Sequence, residues 1–331
     1  MRVIAGVAAG LVAVAPGPRS VGVAGKAVKH PLPWAARLRI TLGADPLACR
    51  RMRLAYVVCD VFTTQPLEGN ALAVFPDGAG LTNRQMQALA RELNLSESVF
   101  ILPPERGGHA RIRIFTPRVE LPFAGHPTLG TALVLHETRG QDAIRLETGR
   151  GIIPVRFEGR GGMPFGWMVQ PLPSIAPLQD PERFLAALGV ERSELPVDVY
   201  DNGVVNAYVA LPSEEAVAAL APDSGGLAAF GDVGANCFAG SGGSWKTRMF
   251  APFAGISEDP ATGSAAGPLA LHLVRHGRIG WGDEIEIRQG EHVGRPSRLY
   301  ARAFGDDGAV ARIEVGGSAV VVGRGEFDLP E

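Results

Sequence analysis

The sequence predicts an α+β protein of two similar halves, each a set of short strands around one apolar helix. Three observations carry this. The chain nearly repeats itself: Arg113-Ile-Phe-Thr-Pro117 leads into Gly125-His126-Pro127-Thr128, and Arg248-Met-Phe-Ala-Pro252 leads into Gly263-Ser264-Ala265-Ala266. Asn70-Ala71 behind Asp60-Val-Phe and Asn206-Ala207 behind Asp198-Val-Tyr form a further pair in the same order and at nearly the same offset. Each Gly-His or Gly-Ser turn then opens a run too uniformly apolar for a surface helix, so strands must wrap it. Finally, 43 glycines and 26 prolines punctuate many short strand-like stretches.

The elements follow in order. Strands are expected over 56–62 and 71–75, joined by a loop holding Gly69-Asn70. Thr82-Asn-Arg-Gln85 has the form of a capping box, and Leu81, Met86, Leu89 and Leu93 recur at helical spacing, which predicts a helix over 83–92. Asn94-Leu-Ser-Glu-Ser98 reads as a break before a strand over 99–102, and another strand spans 110–115. The Gly125-His126 turn starts the first apolar helix, and strands follow over 144–146, 152–157 and 167–170. Pro171, Pro173 and Pro177 make 171–180 a linker between the halves. The second half reads as helices over 181–188 and 214–220, the latter capped by Ser213, and an apolar helix over 263–276. Its strands are expected over 196–200, 206–211, 235–238, 245–250, 284–288, 299–304 and 309–315.

A length of 331 residues fits two domains, expected at 52–170 and 171–331, with the last strand able to return to the first. Residues 1–51 differ: eight Lys/Arg stand against one acid, Asp45. Arg2 and the small apolar residues 3–15 resemble a signal peptide without a clear cleavage site. The favoured reading starts the fold at Met52 and leaves 1–51 outside it. With 46% hydrophobic and 20% charged residues, the chain can bury sizeable cores and is not disordered overall. A net charge of −2 gives no sign of nucleic-acid binding, and no stretch is long enough for a membrane helix. Cys49, Cys59 and Cys237 show neither metal spacing nor an even disulfide set, so a cytoplasmic setting is the default. There is no dinucleotide or phosphate-loop glycine pattern and no zinc-like cluster, so no cofactor and no metal is expected.

The repeat places chemistry at the two helix starts. A helix N-terminus offers unpaired N–H groups and the positive end of its dipole, a ready seat for a carboxylate. Two such ends facing each other across an interdomain cleft would make a small-molecule site. Glu97 is the first candidate for proton transfer, since a carboxylate at the edge of an apolar site has a raised pKa; a loop glutamate is otherwise ordinarily solvated. His126 can carry a proton or bind substrate, or simply cap its helix. Its repeat partner is Ser264, so the copies divide labour. Glu258-Asp259 precedes Pro260-Ala-Thr-Gly263-Ser264, where acids also favour the helix dipole. Thr262, Gly263 and Ser264 offer N–H and hydroxyl donors to an anion.

Several motifs in order resemble the PhzF family of phenazine biosynthesis, within the diaminopimelate-epimerase-like fold. They are Glu68-Gly-Asn-Ala-Leu-Ala-Val74, Arg91-Glu-Leu-Asn-Leu-Ser-Glu97, Arg113-Ile-Phe-Thr-Pro117, Leu121-Pro-Phe-Ala-Gly-His-Pro127, Asn236-Cys-Phe-Ala-Gly240 and Glu258-Asp-Pro-Ala-Thr-Gly-Ser-Ala-Ala-Gly-Pro-Leu269. His276-Gly-Arg-Ile279 and Gly294-Arg-Pro-Ser297 also fit, so the resemblance runs from about Met52 to Gly325. It implies, for each half, a strongly curved, mostly antiparallel sheet around a central helix. Ala124 precedes Gly125-His126 where PhzF-like proteins commonly carry cysteine, and Thr262 precedes Gly263-Ser264. The two-cysteine chemistry of epimerases in this fold is therefore unsupported, and a carboxylate must move the proton.

The resemblance further implies a homodimer that isomerises trans-2,3-dihydro-3-hydroxyanthranilic acid without a cofactor, shifting hydrogen from C3 to C1. Glu97 corresponds to the family's acid/base, with His126, Asp259 and Ser264 as polar companions. The backbone at Gly125 and Gly263 would hold the carboxylate, and Asn70 would support the site. Two alternatives stay open: a cofactor-free isomerase or epimerase acting on another small acid, and a non-catalytic protein that binds one.

Overall fold

The computed structural model describes residues 51–306 and 309–330. The expected extension therefore lies outside the described residues, except that the first strand already includes Arg51. The first half runs β1 (Arg51–Val61), β2 (Asn70–Phe75), α1 (Asn83–Leu93), β3 (Glu97–Leu102), β4 (Ala110–Phe115), β5 (Glu120–Leu121), α2 (Gly125–Arg139), β6 (Ala143–Thr148), β7 (Gly151–Arg160) and β8 (Met163–Gln170). The second runs β9 (Ser174–Pro177), α3 (Pro181–Leu188), β10 (Asp198–Asp201), β11 (Val205–Ala210), α4 (Glu214–Ala218), α5 (Ser224–Ala228), β12 (Gly234–Ser241), β13 (Ser244–Ala251), β14 (Ile256–Asp259), α6 (Gly263–Arg275), β15 (Ile285–Gln289), β16 (Ser297–Asp306) and β17 (Ala309–Gly317). The last strand, β18 (Ala319–Pro330), pairs antiparallel with β1.

The halves share one topology, which makes the duplication structural as well as textual. In the first, β2 pairs parallel with β3, β3 antiparallel with β4, and β4 parallel with β6, which continues through β7 to β8. In the second, β11, β12, β13, β15, β16 and β17 repeat those pairings in the same order. Antiparallel pairing of β8 with β17 joins the two sets. Even an ion pair is copied. Arg113 on β4 grips Glu120 on β5 through two contacts of 2.7 and 2.5 Å, and Arg248 on β13 grips Glu258 on β14 at 3.0 and 2.7 Å. Such forked pairs fix orientation as well as charge. Each one pins the hairpin that delivers the chain to a buried helix.

Both central helices are enclosed. Every residue from Gly125 to Leu135 in α2 and from Gly263 to Leu273 in α6 is buried. α2 touches β1, β2, β3, β6, β7, β8 and β18, so the sheet must curve around it. Leu129, Leu133 and Ile112 belong to this inner core, as do Leu269, Leu273 and Ile287 around α6. Outer cores complete the layers: α1 sets Met86 and Leu89 against Phe75 and Phe100, and α3 to α5 cover β11 and β12 with Phe184, Val217 and Leu227. The capping box at Thr82 forms as expected, with Thr82 Oγ1 accepting from the Gln85 N–H and Gln85 Oε1 accepting from the Thr82 N–H.

Four sequence expectations change. Residues 171–180 are not a plain linker, because β9 lies within them and pairs with β10. Glu97 is the first residue of β3 and only 8% exposed, not a residue of the preceding break. The helix after Ser213 stops at Ala218, two residues short. Three strands and a helix escaped the pattern altogether: β5, β14, β18 and α5, each either too short or too weakly alternating to stand out.

Candidate active site

The two enclosed helices meet at their N-termini. A Cβ added to Gly125 would lie inside 3.0 Å of the Ser264 nitrogen and the Gly263 carbonyl carbon, and one on Gly263 would lie 2.9 Å from the Phe62 ring. Only glycines permit that approach. Neither helix has a side-chain N-cap bond: Ala124 has no cap to offer, and Thr262 turns its hydroxyl elsewhere. The first-turn N–H groups are thus left for a ligand.

A cavity of about 310 Å³ opens at this junction. Glu97, Gly125, His126, Asp259, Gly263 and Ser264 line it, so the structure brings together six of the seven residues picked from the sequence. The seventh, Asn70, stands directly behind. Its Nδ2 lies 3.3 Å from His126 Nδ1, 3.0 Å from Asp259 Oδ1 and 3.0 Å from the Ala261 carbonyl oxygen. Asn70 starts β2 in the first half while Asp259 ends β14 in the second, so one amide group ties the halves together. A side-chain amide nitrogen only donates, and its two hydrogens are shared among these three groups, an arrangement that suits an unprotonated His126 Nδ1. Burial pushes the His126 pKa down to about 3, which keeps the ring neutral. The tautomer this arrangement suits carries its proton on Nε2, facing Glu97.

Glu97 Oε2 lies 3.2 Å from His126 Nε2. The approach is close but not aligned as a hydrogen bond, and neither buried atom has a hydrogen-bond partner. Buried polar atoms are ordinarily satisfied, so this unpaired couple beside a cavity marks where a ligand's polar groups belong. Burial, assisted by the negative charge of Asp259, pushes the Glu97 pKa up to about 8. Glu97 is thus a carboxylic acid at neutral pH, within reach of either protonation state.

Asp259 is held differently. Thr262 Oγ1 donates to its Oδ2 at 2.6 Å and Asn70 to its Oδ1. Burial raises its pKa, and those two hydrogen bonds pull the other way. Gln289 fastens the whole turn, donating to the Asp259 carbonyl oxygen at 2.8 Å and accepting from the Thr262 N–H at 3.2 Å. Thr262 thus spends its donors on the protein, contrary to the expectation that it serves an anion. Glu258, the neighbour of Asp259, points away into its pair with Arg248. Gln170 at the end of β8 donates to the Gly263 carbonyl oxygen at 2.8 Å, and Asn202 donates to that of Ser264 at 2.9 Å. Gln170, Asn202 and Gln289 carried no sequence signal, since an isolated amide in a strand or turn announces nothing.

Cys59 and Cys237 are buried and free in β1 and β12, and burial pushes both thiols up to about 12. They are inert as acid–base groups near neutrality, and Cys49 lies outside the described residues. Among the described residues, the grouping with metal-ligand spacing is Asp198, His272 and His276, at the far end of α6 from the cavity. There Arg275 Nη1 already stands 3.2 Å from the Asp198 carboxylate and supplies its positive charge.

Comparison with known proteins converges on one family. Residues 59–325 match PhzC-PhzF, described as phenazine biosynthesis-like protein. The trans-2,3-dihydro-3-hydroxyanthranilate isomerase of Pseudomonas aeruginosa is 49% identical over 275 residues, covering 83% of this chain and 99% of its own. A crystal structure of a Bacillus anthracis phenazine biosynthesis protein of the PhzF family superposes with a TM-score of 0.71 at 25% identity, over 83% of this chain and 99% of that one. A hydroxyproline epimerase from Agrobacterium vitis shares the fold, with a TM-score of 0.57 at 16% identity over 84% of this chain and 93% of its own. With a duplicated sheet-wrapped-helix fold and two glycine-started helices meeting over a glutamate, the chain belongs to the PhzC-PhzF family.

Proposed function

We propose that this protein is a trans-2,3-dihydro-3-hydroxyanthranilate isomerase that works through Glu97 without a cofactor. The observation that carries the reading is the Glu97 carboxyl: buried, unpaired, pushed up to about 8, and set at the cavity wall beside a neutral His126. The 49% identity to the Pseudomonas aeruginosa isomerase over 99% of that chain supports the substrate.

In the reaction, ionised Glu97 removes the proton from C3. The C–H electron pair moves into the conjugated ring system, and the same carboxyl returns a proton at C1. The C3 enol left behind tautomerises to the ketone. No electrons leave the substrate, so the step needs no oxidant or reductant. One carboxyl shuttling a proton between two carbons needs a pKa near the operating pH, which burial supplies here. His126 and Asp259 orient the substrate amino and hydroxyl groups, and Ser264 with the N–H groups at Gly125 and Gly263 seats its carboxylate. Asn70 positions His126 and Asp259.

The same reading takes residues 52–170 and 171–331 as the two copies, with β18 returning to the first, and the active species as a cytoplasmic homodimer. The matched strand pairings of the two halves support that division, and no helix among the described residues is long and apolar enough to cross a membrane. The direct test is incubation of the purified protein with the dihydro-hydroxyanthranilate while following its ultraviolet absorbance. Loss of absorbance is expected, and an unchanged spectrum would overturn the assignment.

A further inference from the structure

The cavity is lined mostly by apolar and small residues, with a few ionisable groups among them. Glu97, Asp259 and Asp232 line it, and among the described residues Arg118 is the one lysine or arginine that does so. Arg118 stands in the turn between β4 and β5, of the first half. Its side chain reaches to the opposite half: a Cβ on Gly255, just before β14, would lie 3.0 Å from both Arg118 Cζ and Nη2. The guanidinium therefore spans the mouth of the cavity. Among the described residues its side chain has neither a hydrogen bond nor an ion pair, whereas nearby Arg113 and Arg248 are both locked to glutamates. An exposed, uncommitted guanidinium at the entrance of a largely apolar cavity is a local source of positive potential. Such a charge captures and steers anions, and its planar fork matches a carboxylate.

We propose that Arg118 is the residue by which this enzyme captures its substrate's carboxylate at the cavity mouth. The carboxylate then passes to the helix N-termini at Gly125 and Gly263. The inference rests on the isomerase reading for its substrate, but not for its electrostatics: any small ring carboxylate entering this cavity passes Arg118. A rim cation acts mainly on encounter, so its loss changes capture and salt dependence more than the chemical step.

The test compares wild type with Arg118→Gln and Arg118→Lys in two assays. With the dihydro-hydroxyanthranilate, kcat/KM is measured at low and near-physiological ionic strength. Arg118→Gln is expected to lose roughly tenfold in kcat/KM at low salt, within the range by which rim charges alter association. The loss falls in KM, with kcat within about twofold, and the salt dependence flattens; Arg118→Lys recovers most of it. In the second assay, dissociation constants are measured for 2-aminobenzoate and the neutral 2-aminobenzamide. Wild type is expected to prefer the carboxylate, and Arg118→Gln to lose much of that preference. If wild type turns nothing over but still shows an Arg118-dependent preference, the reaction assignment fails and the capture role stands. If Arg118→Gln matches wild type in kcat/KM, in salt dependence and in the carboxylate preference, the inference is overturned.

Discussion

Gly125 and Gly263 hold the N-termini of α2 and α6 in backbone contact, with no room for a methyl group between them. Gly125→Ala is therefore expected to push the helix starts apart. Overpacking a rigid core typically destabilises by about 1–3 kcal/mol. Denaturant melts will read the stability, and the same variant is expected to lose most of its activity, because the carboxylate seat is what moves. A Gly125→Ala protein with wild-type stability and turnover would show that the contact is slack.

Glu97 carries a stability prediction with a definite sign. Its pKa rises from 4.5 to about 8 on folding, so between those values the folded state binds a proton that the unfolded state has released. Stability from this group is fully present below pH 4.5 and is lost as pH climbs through about 8. Glu97→Gln, which stays neutral, is expected to melt at a higher temperature than wild type at pH 9, with the gap closing toward pH 5. Parallel pH–melting curves for the two proteins would contradict the raised pKa.

Asn70 ties His126 to Asp259 across the two halves. Asn70→Ala is expected to lower kcat by roughly 10–100-fold, in line with other groups that orient site side chains. The fold should survive, since Asn70 contributes no apolar contact to the inner core. Retention of full kcat would remove Asn70 from the site's support.

Metal removal is expected to change nothing. The cavity is lined mostly by apolar and small residues; its polar side chains are three carboxyls, three hydroxyls, one guanidinium and one imidazole whose Nδ1 faces Asn70. Exhaustive chelation should leave kcat within error, and activity lost on chelation and restored by one metal would refute this.

Much of this site was legible because duplication leaves marks that single motifs do not. Gly125 and Gly263 stand out only when the two halves are laid over each other, and the repeated Arg113 and Arg248 proved to be repeated ion pairs as well. What stayed hidden depends on distance in the chain. The burial of Glu97 comes from β3 pairing with β2 and from the facing second half, whereas Ser-Glu-Ser alone looks like a solvated break. Gln289 reaches Thr262 from 27 residues away, and Asn70 reaches Asp259 from 189 away, so no local pattern records either bond. β18 was missed because its pairing to β1 joins opposite ends of the described chain.

The central claim is that the Glu97 carboxyl moves the proton, and the Glu97→Gln variant tests it most directly. The amide keeps the size and polarity of the side chain but cannot exchange a proton. Turnover of the dihydro-hydroxyanthranilate is expected to fall by at least the roughly 10²–10⁴-fold that general acid–base catalysis contributes, while the protein stays folded and still binds 2-aminobenzoate. In wild type, kcat/KM is expected to rise about tenfold per pH unit and level off above about 8, as the base form fills. A folded Glu97→Gln protein with near-wild-type turnover would contradict the account.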